Sequence, residues 1–194
     1  MIIEGVVTTL NVHDELNVAP MGPIVDDSMQ QLILRPFRTS TTYSNLKVRP
    51  YGVFHIVDDV LLIARAALDR LDETPSTFPS TKVVGRVLSD CCRWHEFEIV
   101  KCEDSTDRTT LTANVVHTGY IREMGGLNRA KHAVLEATIL ATRLHLILEM
   151  SVREQLAALS IPVEKTAGSK ERQAFSLVTE YVETWYRNHD SKPQ

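Results

Sequence analysis

A segment rich in hydroxyl side chains, residues 34–52, has the composition of an anion-binding site. It reads LRPFRTSTTYSNLKVRPYG. A guanidinium, five hydroxyls, an amide and two further cations follow one another: Arg38, Thr39, Ser40, Thr41, Thr42, Ser44, Asn45, Lys47 and Arg49. Hydroxyls and backbone amides at a strand-to-turn junction can surround a phosphate, and arginine adds a charge-assisted, bidentate contact. The segment therefore indicates a phosphate site, although a solvated polar loop has the same composition.

A second segment, LNVAPMGPI at residues 16–24, has the length of a strand but contains poor ladder formers. Proline cannot donate to a β-ladder, and glycine weakens a strand. Two interpretations are open: a frayed edge strand, or a strand whose exposed backbone and small side chains leave room for a flat ligand. Because it lies shortly before the hydroxyl-rich segment, this strand could offer backbone groups to a planar ring while that segment binds the phosphate of the same ligand.

A third segment, MGGLNRAKHA at residues 124–133, is a further candidate for binding an anion. Gly125 and Gly126 stand before a helical pattern with Asn128 as its expected N-cap, and such a start leaves backbone N–H groups facing outward. Positive charge in the first turn opposes the helix dipole. The residues that carry it are Arg129, Lys131 and His132. An ordinary capped helix is the alternative, but charges that work against the dipole favour a binding role.

The overall composition argues against several classes of protein. A net charge of −4 does not suit a whole-surface grip on nucleic acid. No apolar run approaches the roughly 20 residues that span a bilayer, and the first residues, MIIEGVVTTL, do not have the pattern of a signal peptide. Three cysteines without a CxxC motif predict a reducing, cytoplasmic location, and seven scattered histidines predict no metal site.

The elements that must position these segments are strands first and helices later. The β-branched and alternating stretches up to about residue 121 predict strands. They are interrupted by a helical pattern at residues 58–73, for which Asp58 or Asp59 is a plausible N-cap. From Asn128 a long apolar stripe with helical period begins, and a helix at 151–159 and another at 169–188 follow after breaks. The pattern predicts an α+β protein, a small barrel with a helical C-terminal region.

Two of these segments together resemble a known superfamily. NVAPMGPI followed by RTSTTYSNLKVRPYGVFHIVDD is similar to the FMN-binding split-barrel proteins, the flavin reductase-like superfamily. Within that superfamily the chain most resembles a family of unknown function. Its members begin with an EG..TT strand and carry a helix that reads here GGLNRAKHAVLEATILATRLHL. The likeness extends over residues 2–148.

The resemblance implies a six-stranded Greek-key split barrel at residues 1–125, and a helical region at 126–194 packed on it. It also implies a homodimer with FMN in the groove between the subunits. The residues implied beside the flavin ring are Asn17, Ala19, Pro20, Met21 and Gly22. Those implied at the ribityl phosphate are Arg38, Ser40, Thr41, Thr42 and Asn45. Asn128, Arg129 and His132 stay candidates for a substrate or another anion.

The function expected from this resemblance is that of a flavin-dependent oxidoreductase, whose acceptor the sequence does not identify. NADH or NADPH would supply hydride, and the cations available for its phosphate or for an acidic acceptor are Arg35, Lys47, Arg49 and Arg129. One alternative is a non-catalytic FMN-binding module, or a dimer that keeps the barrel without the cofactor. A deazaflavin, haem or pterin in place of FMN is a related possibility. The last alternative is a dimeric scaffold whose hydroxyl-rich loop is merely polar.

Overall fold

The computed structural model describes residues 1–189. In this part of the chain the backbone forms nine strands, five α-helices and one short 3-10 helix. The strands are β1 (Gly5–Leu10), β2 (Leu16–Met21), β3 (Ile24–Val25), β4 (Gln31–Leu34), β5 (Tyr51–Ile56), β6 (Thr77–Pro79), β7 (Arg86–Leu88), β8 (Arg93–Glu103) and β9 (Thr110–Tyr120). The α-helices are α1 (Thr41–Val48), α2 (Val60–Ala67), α3 (Arg129–Ala141), α4 (Glu149–Thr166) and α5 (Ser169–His189). The predicted α+β class is confirmed.

The chain divides into two compact units. The first contains Met1–Asp58 and Glu73–Met124, and the second contains Asp59–Asp72 and the described chain from Gly125 onward. All nine strands and α1 lie in the first unit, and the other four α-helices lie in the second. Helix α2 is thus grouped with the C-terminal helices, although it comes early in the sequence. The linear division at residue 125 stays a prediction.

The first unit is built on a seven-stranded antiparallel sheet with the order β2-β1-β5-β8-β9-β4-β3. Every residue of β1 is buried, because β1 is flanked by a strand on each side. Strands β6 and β7 form a separate two-stranded sheet. Apolar side chains make up the core of this unit: Val7, Val25, Leu32, Leu34, Leu46, Phe54, Phe97, Leu111 and Ala113.

The start of the chain links the β1 region to β3 at the far end of this sheet order. Ile2, which precedes β1, forms an antiparallel bridge with Ile24 of β3. The N–H of Val25 donates to the Met1 carbonyl at 2.8 Å, and the N–H of Ile3 donates to the Pro23 carbonyl at 3.2 Å. Hydrogen bonds therefore connect the β1 region with β3, the last strand in the order.

Two buried polar side chains fasten the connection between β5 and β8 to the sheet. The Glu96 carboxylate accepts hydrogen bonds from the N–H groups of Thr81, Lys82 and Val83 and from Trp94 Nε1. Burial raises the pKa of Glu96, but these donors outweigh burial and hold the pKa below its usual value. Separately, the imidazole of His55 joins β1 to β7. Its Nε2 accepts from the Leu88 N–H at 3.0 Å, so Nδ1 carries the proton and donates to the Val6 carbonyl at 3.1 Å.

We predict that unfolding free energy falls as the pH is lowered from 7 to 6. Burial lowers the pKa of both His55 and His95 to about 4. In the unfolded chain a histidine has a pKa of about 6.5. As the pH falls through that value, the unfolded chain binds protons that the native state does not, so stability is lost. The two together should remove about 1.5 kcal/mol between pH 7 and pH 6.

Urea unfolding at pH 7.0, 6.5 and 6.0 measures this dependence. His95→Gln should make it shallower, whereas His13→Gln, on an exposed turn, should leave it unchanged. A free energy of unfolding that is constant from pH 7 to pH 6 would show that neither buried histidine resists protonation.

The second unit is a helical cluster with its own apolar core. Helices α2, α3, α4 and α5 contribute buried residues to it, among them Ala64, Val134, Val152, Val178 and Val182. Asp59 is the N-cap of α2 and accepts from the N–H groups of Leu61 and Leu62, as predicted. None of the helices within residues 1–189 is long and apolar enough to cross a membrane. Over the same residues, no group of His, Cys, Asp and Glu side chains is arranged to hold a metal ion.

Helix α4 differs from the sequence prediction at both ends. It begins at Glu149 instead of Ser151, and it continues through Pro162 to Thr166, where a break was expected. Proline inside a helix costs about 3 kcal/mol. Val163 is buried in the helical core, and the Thr166 hydroxyl donates to the Pro162 carbonyl at 2.8 Å. These tertiary and side-chain contacts offset the cost of the proline.

Candidate functional site

A cleft of about 260 Å3 lies in the first unit, between β2 and the start of α1. Two of the sequence segments singled out above meet there. The lining residues are Ala19, Pro20, Met21, Gly22, Arg35, Pro36, Phe37, Ser40, Thr42 and Arg108. The lining contains two guanidinium groups and no carboxylate, and although the Glu4 carboxylate lies next to Gly22, this balance of charge favours an anionic ligand.

Strand β2 is an edge strand that also lines the cleft, and its contact with a flat ligand stays a prediction. It is an edge strand of the sheet, because within residues 1–189 it pairs with β1 alone. Pro20 pairs with Val6 in the β1–β2 register, and a proline is tolerated at an edge. All six residues of β2 are half-buried, and the last three line the cleft together with Gly22. The strand thus presents small and unbranched side chains to the cleft.

A hydrogen-bonded network of side chains connects β1, β2 and α1. Asn17 Nδ2 donates to Thr42 Oγ1 at 3.1 Å and to Thr9 Oγ1 at 3.3 Å. Asn45 Nδ2 donates to Thr9 Oγ1 at 3.0 Å. Thr9, Thr42 and Asn45 are buried. Asn17 and Asn45 are therefore brought together with the cleft-lining Thr42, but they reach the cleft through Thr42 and do not line it themselves.

The middle of the hydroxyl-rich segment, residues 41–48, forms helix α1. The sequence interpretation as a strand-to-turn junction was wrong on this point. Ser40 is the N-cap of α1 and accepts from the Tyr43 N–H. No acceptor within residues 1–189 takes the N–H of Thr41 or Thr42, and the first turn contains no acidic residue. A helix N-terminus of this kind, with free amides and positive dipole, is suited to an anion. It opens at the cleft through Ser40 and Thr42.

Helix α1 is tied to the β8–β9 connection by an acidic side chain of that connection. The Tyr43 hydroxyl and Lys47 Nζ donate to Asp104 Oδ2 at 2.7 and 2.9 Å. Hydrogen bonds from Tyr43 and then from Lys47 lower the pKa of Asp104 to about 2. Lys47 is therefore held in an ion pair, and Arg49 pairs with Asp14. Neither cation lines the cleft, although both were candidates for contacting a nicotinamide phosphate.

Four of the cleft-lining residues were not among the predicted flavin contacts: Arg35, Pro36, Phe37 and Arg108. The first three lie at the start of the hydroxyl-rich segment, whereas Arg108 comes from the β8–β9 connection. Two hydrogen bonds join these regions, which are far apart in the sequence: the backbone N–H and the hydroxyl of Thr109 both donate to the Pro36 carbonyl. Two predicted residues, Arg38 and Thr41, are exposed and do not line the cleft. Their contact with a phosphate stays a prediction.

The segment at the start of α3 lies in the second unit. Asn128 is the N-cap, as predicted, and its Oδ1 accepts from the N–H groups of Ala130 and Lys131. The Ala130 N–H also donates to Thr166 Oγ1 at 3.1 Å. The expectation of outward-facing amides is therefore wrong for these two residues, whose N–H groups are already bound. Arg129 and His132 are exposed, and their role in binding an anion stays a prediction.

Comparison with protein-family models identifies the chain. A model described as "Protein of unknown function (DUF447) N-terminal domain" matches residues 3–122. A second model, "Protein of unknown function (DUF447)", matches residues 128–180. The chain belongs to the DUF447 family. No curated protein sequence matches this DUF447 chain at a significant level.

Solved structures share the fold of the DUF447 chain. An FMN-bound DUF447 protein from Methanosarcina mazei aligns over 93% of this chain and 94% of its own, with a TM-score of 0.78 and 24% identity. The 2-nitrobenzoate 2-nitroreductase of Pseudomonas fluorescens aligns over 61% and 64%, with a TM-score of 0.51 and 19% identity. An FMN-binding protein from Thermus thermophilus with bound p-hydroxybenzaldehyde aligns over 63% and 73%, with a TM-score of 0.51 and 14% identity. The predicted membership of a family of unknown function is confirmed, and so is the predicted likeness in fold to FMN-binding proteins.

Proposed function

We propose that this DUF447 protein binds FMN in the cleft between β2 and α1 and acts as a flavin-dependent oxidoreductase. The observation that carries the proposal is the meeting of the small-residue strand with the free N-terminus of α1 in a cleft without carboxylates. The flavin ring would lie along Ala19–Gly22. Its phosphate would lie at Ser40, Thr41 and Thr42, with Arg38 as a counter-charge. Asn17 and Asn45 would orient Thr42 through the network that they form with Thr9.

The donor set of the cleft fits a flavin mononucleotide. Hydroxyls and backbone amide N–H groups, which the start of α1 supplies, are donors that a phosphate requires, and the side chains of Ala19 and Pro20 are small enough to admit a ring. A volume of about 260 Å3 is below the range of about 300–1,000 Å3 for cofactor pockets, so one chain would cover only part of the ligand. The fit supports a homodimer in which the partner subunit completes the site.

The six-stranded Greek-key barrel belongs to the same proposal. The order β1-β5-β8-β9-β4-β3 contains six strands, and the bridge between Ile2 and Ile24 connects its last member with the β1 region. Strand β2 pairs only with β1 and so stands outside this circuit. If these six strands close into a barrel, β2 remains an edge strand outside it, and its unpaired edge could face a cofactor. A cytoplasmic location agrees with the three free cysteines.

Bound flavin would supply the redox chemistry of the site, accepting hydride from NADH or NADPH and passing electrons to a substrate. The protein's own residues would bind and orient. Backbone groups of β2 would face the polar edge of the ring, Met21 would lie near its face, and the start of α1 would neutralise the phosphate. A non-catalytic FMN-binding module is the second candidate, because the cleft lining contains no histidine or carboxylate to act as general acid or base.

We expect the purified protein, mixed with FMN and desalted, to retain flavin absorbance at about 450 nm. The reason is that a phosphate held at a helix N-terminus by hydroxyls and a cation should remain bound during gel filtration. Sedimentation of the same sample should show a dimer. Loss of all flavin on desalting, together with no change in melting temperature on adding FMN, would contradict the proposed function.

Anaerobic addition of NADH or NADPH to the FMN-loaded protein then separates the two candidates. Bleaching within the mixing time at micromolar protein would support an oxidoreductase. A bound flavin that dithionite reduces but neither nicotinamide reduces would favour the binding module. Free FMN at the same concentration is the matched control for non-enzymatic reduction.

A further inference from the structure

One corner of the cleft places an exposed aromatic ring under a guanidinium. The ring of Phe37 is 58% exposed, although it is a large apolar side chain. The Cζ atom of Arg108 lies 5.7 Å from the centroid of this ring, within the range of a cation–π contact. Both side chains line the cleft. Within residues 1–189, no carboxylate forms an ion pair with Arg108.

The backbone holds this pair in a fixed arrangement. Phe37 and Arg108 form an isolated antiparallel bridge. On either side of it, the N–H of Arg38 donates to the Asp107 carbonyl at 2.9 Å, and the N–H of Thr109 donates to the Pro36 carbonyl at 3.0 Å. The Thr109 hydroxyl, which is fully buried, adds a bond of 2.8 Å to the same carbonyl. The loop that carries Phe37 and the connection that carries Arg108 are therefore fastened together through their backbones.

We propose that Phe37 and Arg108 bind a planar aromatic substrate that carries an acidic group. The ligand ring would lie against the exposed face or edge of Phe37, and its anion would bind the Arg108 guanidinium, with Arg35 as a second cation of the same cleft. This inference rests on the proposed function, because a substrate here would lie beside the flavin. The phosphate of the flavin is assigned to the start of α1, which leaves Arg108 free for the substrate.

Two sources share this chemistry: a free aromatic acid, and the adenine nucleotide end of a nicotinamide dinucleotide. Titrating the FMN-loaded protein with 2-naphthoate and with ADP distinguishes them, with binding followed by calorimetry. Cyclohexanecarboxylate keeps the acid but has no planar ring, and 2-naphthol keeps the ring but has no acid. One of the two test ligands, 2-naphthoate or ADP, should bind. The Kd values of cyclohexanecarboxylate and of 2-naphthol should each be at least about 10-fold higher than that of the test ligand that binds.

Substitutions locate the binding at this pair. Phe37→Leu keeps an apolar side chain without the ring, and Arg108→Gln removes the charge. Each should raise the Kd of the aromatic acid about 10-fold and that of FMN by less than about 3-fold. Arg93 lies over Tyr120 with 6.0 Å between Cζ and the ring centroid, and Tyr120 is 51% exposed, outside the cleft. Tyr120→Leu and Arg93→Gln are therefore matched controls that should leave both Kd values unchanged.

Three results would overturn the inference while leaving FMN binding intact. The first is that neither 2-naphthoate nor ADP binds to protein that has retained FMN. The second is that Phe37→Leu and Arg108→Gln weaken FMN as much as the acid, which would place the pair in the cofactor site. The third is that Phe37→Leu dissociates the dimer without changing the Kd, which would make the ring a subunit contact. Failure of the protein to bind FMN at all would instead contradict the proposed function.

Discussion

Replacing Glu96 by alanine is expected to lower the free energy of unfolding of the first unit by about 3 kcal/mol. The Glu96 side chain is fully buried, and its carboxylate accepts from three successive backbone N–H groups at 2.6–3.2 Å and from the Trp94 indole. Alanine removes all four acceptor contacts and leaves Val83, which is itself buried, without an acceptor. Hydrogen bonds to a charged group are worth about 1.5–3 kcal/mol each, but water can replace some of them at the exposed Thr81 and Lys82.

Urea unfolding followed by tryptophan fluorescence measures the effect, since Trp94 reports on the same contacts. Glu96→Gln should lower the free energy of unfolding by about 2 kcal/mol. The amide keeps one acceptor oxygen, but its NH2 group cannot accept and would face N–H donors. Glu98→Ala, two residues along the same strand and exposed, is the control and should change stability by less than about 0.5 kcal/mol. A loss for Glu96→Ala no larger than that of Glu98→Ala would show that the loop is held by other contacts.

The strands of the first unit and the late helices could be predicted because their patterns are long and regular. Strands β8 and β9 are eleven residues long each, β9 alternates in burial along most of its length, and α5 follows a helical period over 21 residues. Asp59 and Asn128 marked the starts of α2 and α3 correctly, because an N-cap has a local chemical signature. The sequence therefore indicates an element reliably where local propensity and burial pattern agree.

Helix α1 could not be predicted, because the contacts that stabilise it are mainly tertiary. Serine, threonine and tyrosine have low helix propensity, and the segment has no apolar stripe. It is helical because Ser40 caps it, Leu46 is buried in the core, and Asn45 bonds to Thr9 in β1. Arg108 was missed for a similar reason. No local motif relates it to the hydroxyl-rich segment, and only the strand pairing brings the two regions together.

Replacing Thr42 by valine is expected to raise the Kd for FMN about 30-fold or more. Thr42 is buried and lines the cleft, and its Oγ1 accepts from Asn17 Nδ2 at 3.1 Å. Because the hydroxyl accepts from Asn17, its own proton is available to donate to a ligand oxygen. Valine has the same shape but removes both interactions, and a lost hydrogen bond to a charged phosphate costs about 1.5–3 kcal/mol. At about 1.4 kcal/mol per tenfold change, the loss of affinity is therefore large.

Quenching of FMN fluorescence during titration with protein gives the Kd values for this comparison. Thr39→Val alters an exposed hydroxyl in the same segment that does not line the cleft, and it should change the Kd by less than about 2-fold. Thr41→Val removes the exposed hydroxyl of the first helical turn, so its effect on the Kd for FMN can be compared with that of removing the buried Thr42 hydroxyl. Melting temperatures must stay close to that of the unsubstituted protein for the comparison to hold. If Thr42→Val folds normally and binds FMN as tightly as Thr39→Val, then the phosphate does not lie at the start of α1. The cleft between β2 and α1 would then have to bind its ligand through Arg35 and Arg108 alone.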